Sequence, residues 1–228
     1  MEATRILRHC VAPLFSVFVI ASCMSSTPAA SGSGDIQANQ GLREQVLLGR
    51  QLVLSHLCGQ CHGGQNNPAN KGWLAGLMSP ARPFHVGDCN FDNPTGKPCY
   101  VTRARNLTPD NTTGLGRYSD RQIFNALRFG LRPEDTPDVE ITSTTPGQGN
   151  FPVNPHYLAP PMPWPSFRHM TDQELWAIAA YLKHGVKPVT NKVEESEGPP
   201  DFWAALWAER DIGPYPVASF PTANEQLR

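Results

Sequence analysis

The pentapeptide Cys58-Gly59-Gln60-Cys61-His62 constrains this chain more than any other feature. Its two thiols are separated by one helical turn, and the next side chain is an imidazole. Cys-x-x-Cys-His is the pattern in which two sulfurs bond the vinyl groups of a porphyrin and the histidine ligates its iron. The spacing has a mechanical reason: both sulfurs reach one edge of the macrocycle while the imidazole turns toward the metal. A bare Cys-x-x-Cys also serves thioredoxin-like and zinc sites, but this sequence offers neither a βαβ pattern nor a second pair of metal ligands. The fold therefore has to wrap one haem, since the pentapeptide does not recur in the 228 residues.

The compartment follows from the N-terminus. Arg5 and Arg8 precede an apolar stretch from Val11 to Ile20, long enough for a signal-peptide core and too short to span a bilayer. Ile20-Ala21-Ser22-Cys23 has the form of a lipobox, so residues 1–22 read as a lipoprotein signal peptide and Cys23 as the acylated residue. Cleavage near Ala29-Ala30, giving a soluble exported protein, is the alternative. Acyl chains on Cys23 would hold the protein at a membrane on the periplasmic side of a bacterial envelope. Residues 23–40, rich in Ser, Thr, Ala, Gly and Pro, read as a flexible tether. Cys10 leaves with the signal, and Cys89 and Cys99 remain. An oxidising compartment favours a disulfide between these two over free thiols. Charges balance at 19 basic against 20 acidic residues, so nothing points to nucleic acid.

Residues 41–190 read as one haem domain with insertions, and residues 191–228 as an extension packing on it. A helix is expected from Leu42 into Cys58, with Gly49 marking a close crossing. A second is expected from the capping box Ser119-x-x-Gln122 to Gly130, and a third from Thr171-x-x-Glu174 to Gly185. A weaker one covers Asp201 to Glu209. The 23 prolines and 19 glycines gather in long connections that read as irregular, including the Cys89–Cys99 segment.

The iron's sixth position separates electron transfer from ligand chemistry. Leu158-Ala-Pro-Pro-Met162-Pro-Trp164 offers a thioether in a loop that three prolines stiffen. The bland reading of Met162 is a hydrophobic loop residue. Rival ligands are Met78, Met170, His85, His156, His169 and His184, of which His156 lies nearest in sequence. Trp164, Phe167, Phe151 and Tyr157 are expected around the loop. Trp203 and Trp207 have a structural role ahead of covering the haem edge or docking a partner. Arg82, Arg103, Arg105, Arg117 and Arg128 are the candidates for pairing with haem propionates.

Cys58 to His62, Met162-Pro163-Trp164 and the run Thr171 to Leu182 together resemble class I cytochromes c. Over Leu42 to Pro188 the likeness is greater to haem domains in cytochrome subunits of membrane-bound bacterial dehydrogenases, with Asn106 to Asp110, Gly114-Leu115-Gly116 and Ser119 to Gly130 in the corresponding places. The resemblance implies an all-α fold around one covalently bound haem c, with long loops and a C-terminal extension. It implies His62 and Met162 as iron ligands, and a crossing of Gly49 and Val53 over Ile178 and Tyr181. The chain departs from those subunits in carrying one haem motif where they usually carry three, in its Cys89–Cys99 insertion, and in its Trp-rich extension. The expected role is that of an electron carrier, not an enzyme, relaying single electrons between redox partners such as a dehydrogenase and a terminal oxidase. The alternatives are a subunit of a dehydrogenase complex and a ligand-binding haem sensor with a displaceable Met162.

Overall fold

The helices form where the caps and apolar stripes place them. The computed structural model describes residues 32–77, 82–90, 92, 95–215 and 218–226, with side chains from residue 40 onward. The expected signal peptide, Cys10, Cys23 with the first part of the tether, and Met78 lie outside the described residues. Helix α1 spans Gly32–Ser55, so it begins inside the stretch expected as tether. A turn with Leu57 in the left-handed region leads into the short α2, Cys58–His62. After a long connection come α3, Asp120–Phe129, the single turn α4, Trp164–Phe167, and α5, Asp172–Ala180, which continues as a wider turn to Gly185. The capping boxes of α3 and α5 both form: Ser119 with Gln122, and Thr171 with Glu174. Each satisfies two backbone donors that a helix start leaves unpaired.

Helices α1 and α5 make the most extensive contact between elements. Their approach depends on Gly49, where an added Cβ would lie 1.8 Å from the Ala177 carbonyl oxygen and 2.8 Å from Tyr181 Cβ. Around this crossing the main core gathers Val53, Leu175, Ile178, Tyr181 and Leu182, joined by Ile123 and Phe124 of α3. Burial of such side chains stabilises by roughly 1.5–3 kcal/mol each, as an upper bound.

The fold is not all-α. Strands β1, Phe84–Gly87, and β2, Cys99–Thr102, pair antiparallel, with Phe84 opposite Thr102 and Val86 opposite Tyr100. These short segments carry the aromatic and β-branched residues that suit a pleated surface, inside a loop whose prolines and glycines hide them from periodicity. Cys89 and Cys99 are joined by a disulfide with their Cα atoms 4.9 Å apart. Val101 also exchanges backbone hydrogen bonds with Glu197, so the extension adds an isolated bridge to the sheet. The sheet's inner side, Val86 with Tyr100, packs on the buried Trp203. Asp201 to Glu209 is not one helix: a 3-10 turn at Ala204–Trp207 stops where Ala208 turns extended, and α6 takes Glu209–Ile212.

Candidate functional site

The Cys-x-x-Cys-His segment is held from below by a tryptophan. An added Cβ at Gly59 would fall 2.3 Å from the Trp73 ring, so α2 lies directly on the indole. Trp73 Nε1 in turn donates to the Tyr181 hydroxyl at 3.0 Å, which ties α2 to the end of α5. The chain after His62 folds back, with Gly76 N donating to the His62 carbonyl at 2.8 Å. This fixes the backbone on both sides of the imidazole.

Above α2 lies a cavity of about 530 Å³, within the range of about 300–1,000 Å³ usual for small-molecule and cofactor sites. Cys58, Cys61, His62 and Met162 all line it. Val53, Leu115, Ile123, Phe167, Ile178 and Leu182 supply apolar wall from the helical side, and Phe84, Tyr100 and Thr102 of the sheet close another side. Met162 is placed by its own loop: Met162 N donates to the Ala159 carbonyl at 3.1 Å, and Leu158 N to the Gly130 carbonyl at 2.7 Å. Gly130, at a φ of 68° after α3, brings the backbone so close to Trp164 that an added Cβ would sit 2.1 Å from the ring. A glycine is required there on both counts.

His62 Nδ1 lies 2.8 Å from the Arg105 carbonyl oxygen. A carbonyl can only accept, so Nδ1 carries the proton and Nε2 is left as the lone-pair nitrogen, the tautomer that a metal-ligating histidine needs. Burial pushes the His62 imidazole below its ordinary value, against the raising effect of that hydrogen bond. Burial pushes the Cys58 thiol up to about 11. Cys58 and Cys61 are both free thiols.

The rival ligands lie elsewhere. His156 Nδ1 bonds Asp201 at 2.7 Å, and His184 Nε2 faces Asp120 at 3.3 Å. Met170 packs against the main core. Neither it nor His85, His156, His169 or His184 lines the cavity. Of the expected aromatic wall only Phe167 lines it, because Trp164 is buried behind the loop, and Phe151 and Tyr157 join a small cluster with Phe129, Leu131 and Ile141.

The charged groups differ from expectation. Arg103 and Arg105 line the cavity, but their guanidinium groups bind the extension: Arg103 pairs with Glu194 and Glu197, and Arg105 with Glu195 at 2.8 Å. Arg128 is buried, donating to the Arg168 and Met170 carbonyls, and pairs with Asp172. Arg117 sits over the Tyr118 ring, and Arg82 is exposed. The group sequence reasoning missed is Arg132. It lines the cavity, its Nε donates to the Tyr157 carbonyl at 3.1 Å, and its buried Nη2 makes no hydrogen bond but is ion-paired with Asp201 Oδ1 at 3.7 Å. His56 was missed as well; it lines the cavity with Nδ1 bonded to the Leu52 carbonyl at 2.9 Å and its ring 5.6 Å from Phe167. Neither carries a motif, although His56 sits two residues before Cys58, and that proximity was the available signal.

These residues fit a haem: two thiols at the attachment spacing, an imidazole in the ligating tautomer, a thioether on the same cavity, and guanidinium groups on its wall suited to a carboxylate. Among the described residues no helix is long and apolar enough to cross a membrane. No protein-family model matches the chain. The chain is 37% identical over 105 residues to the cytochrome c subunit of the quinone alcohol dehydrogenase of Gluconacetobacter polyoxogenes, covering 46% of this chain and 17% of that one. It is 27% identical over 180 residues to the gluconate 2-dehydrogenase cytochrome c subunit of Pantoea cypripedii, covering 79% of this chain and 31% of that one. With the fructose dehydrogenase cytochrome subunit of Gluconobacter japonicus it shares 26% identity over 147 residues, 64% of this chain and 22% of the relative. The chain thus spans between about a sixth and a third of the length of these relatives. Its homologues are the cytochrome c subunits of bacterial dehydrogenases.

Proposed function

We propose that this chain is a monohaem c-type cytochrome that passes single electrons between redox proteins outside the cytoplasmic membrane. The observation that carries the reading is that Cys58, Cys61, His62 and Met162, distributed over more than a hundred residues of sequence, line one cavity. When bound, haem supplies a one-electron couple. Cys58 and Cys61 would hold it through thioether bonds, so that it is not lost in either oxidation state. His62 would ligate through Nε2, kept in place by the Arg105 carbonyl. Met162 would supply a second iron ligand, and a thioether ligand raises the reduction potential. Arg132 would bind a propionate in competition with Asp201, which pairs with its Nη2. The apolar walls exclude water and favour the less charged, reduced state of the site.

The relatives favour a setting for this chemistry: their names make them cytochrome subunits of dehydrogenases, so the electron donor of this chain is a dehydrogenase in the same membrane system. A terminal oxidase would be the acceptor, and acylation at Cys23 would hold the domain near both. Covalent haem is tested by mass spectrometry of the denatured protein, which is expected to carry one haem and to lose it in a Cys58→Ala, Cys61→Ala double variant. The ligand set is tested by paramagnetic resonance and potentiometry of Met162→Ala. Loss of the His/Met low-spin signal with a fall in potential is expected; an unchanged signal and potential would remove Met162 from the iron. Carbon monoxide binding to the ferrous wild type at neutral pH would point to the sensor instead. Stable co-purification with a large catalytic subunit would place the chain in a complex rather than as a free carrier.

A further inference from the structure

A second cavity, about 320 Å³, lies on the far side of Trp164, between the end of α3, α4 and the Ala204–Trp207 turn. Its walls carry donors without acceptors. Arg168 lines it at 3% exposure, and its Nε and Nη2 have no hydrogen-bond partner. Trp164 Nε1 and Trp207 Nε1, on the same walls, are also buried and unpartnered, with the two indole rings 5.4 Å apart. Four orphaned N–H groups thus share one cavity. Each left unsatisfied would cost about 1–3 kcal/mol, and more where the donor is charged. Water could accept the hydrogen bonds but would leave the buried guanidinium charge facing only the exposed Glu209 and the Tyr215 ring, whose centre lies 5.6 Å away. Glu209, the one acidic residue on these walls, is exposed. Burial pulls the Arg168 guanidinium below its ordinary value, opposed by Glu209 and Tyr215.

Nε and Nη2 form the side-on fork of a guanidinium, two parallel donors in one plane at the spacing of the two oxygens of a carboxylate. The Trp164 and Trp207 indoles add donors on the walls of the same cavity. We infer that this cavity is a binding site for a small carboxylate anion, held bidentately by Arg168 Nε and Nη2 and bonded by Trp164 and Trp207. The inference is independent of the haem reading, since none of its donors lines the first cavity.

The test uses the reduced, full-length protein labelled with nitrogen-15. Sodium acetate is titrated against sodium chloride at constant ionic strength, following the indole Nε1–H signals of Trp164 and Trp207 and the Nε–H of Arg168. Acetate is expected to shift all three saturably while chloride leaves them in place. Arg168→Lys keeps the charge and loses the fork, and should weaken acetate about tenfold or more. Glu209→Gln, on the surface, removes the competing carboxylate and should tighten it. The assignment is overturned if acetate shifts grow linearly without saturation, if chloride reproduces them, or if Arg168→Lys binds as tightly as the wild type. Tighter binding of inorganic phosphate than of acetate would overturn the carboxylate in favour of a tetrahedral anion. If the Arg168 variant does not fold, an unchanged affinity in Glu209→Gln overturns the proposal by itself.

Discussion

The two sides of the haem cavity are built on different principles. The helical side rests on α1, α2 and α5, whose contacts come from periodic stripes and one glycine, and it carries Cys58, Cys61 and His62. The other side is a two-stranded sheet, a proline-stiffened loop and residues 191–212, brought together from segments far apart in sequence. It carries Met162 and Arg132, and closes the cavity with Phe84 and Tyr100. A local grammar makes the first side, whereas long-range aromatic packing makes the second. The comparison teaches that Met162, the proposed second iron ligand, sits on the side with the least regular structure.

The largest expected effect tests whether that irregular side is structural or an appendage. Trp203 is 1% exposed, lies 4.9 Å from the Tyr100 ring and touches Phe202 edge-on at 5.2 Å. Trp203→Ala should cost about 3–5 kcal/mol in urea or thermal unfolding. Trp203→Phe should cost far less, because it keeps ring packing and removes an indole N–H that has no partner. If Trp203→Ala costs under about 1 kcal/mol, the extension is an appendage and the comparison fails.

On the helical side the corresponding test is Gly49→Ala. Its methyl would overlap the Ala177 carbonyl, so α1 and α5 must move apart, at a cost of about 1–3 kcal/mol. The movement also draws Tyr181 away from Trp73, and should therefore disturb the haem spectrum. Tyr181→Phe isolates that link. It strands the buried Trp73 N–H and should cost about 1–2 kcal/mol, with the spectrum shifted less than in Gly49→Ala. An unshifted spectrum in both variants would mean that α2 is positioned without the α1–α5 crossing.

The same contrast explains what could be read from sequence. The boxes at Ser119 and Thr171 and the close approach at Gly49 each depend on residues within a few positions or on one small side chain, and these were visible. The sheet was not, because Phe84–Gly87 and Cys99–Thr102 are four residues long and embedded in turn residues, so an all-α fold was expected. Nor was Arg132: its guanidinium is placed by the Tyr157 carbonyl, by Asp201 and by a cavity assembled from both sides, none of which has a sequence signature. The ion pairs of the propionate candidates Arg103 and Arg105 were hidden for a related reason. Their partners, Glu194, Glu195 and Glu197, lie about ninety residues further on.

The smallest expected effect lies outside both sides, in the turn at residues 110–113. Asp110 Oδ1 accepts from the backbone N–H groups of Thr112 and Thr113 and from both their hydroxyls, while Oδ2 accepts from the Thr190 hydroxyl at 2.8 Å. These donors, Thr112 first, hold its carboxyl well below the usual carboxylate range. A group whose folded pKa is depressed stabilises the protein above its unfolded value, near about 3.9, and loses that contribution as the pH falls from there through the folded value. Asp110→Asn keeps the shape and removes the charge. The urea midpoint of the variant should therefore lie slightly below that of the wild type at pH 7 and pH 5, and the gap should narrow at pH 3. A gap that stays constant over this range would mean that the turn at residues 110–113 is held by hydrogen-bond geometry alone, and that the link to Thr190 contributes no charge-dependent coupling.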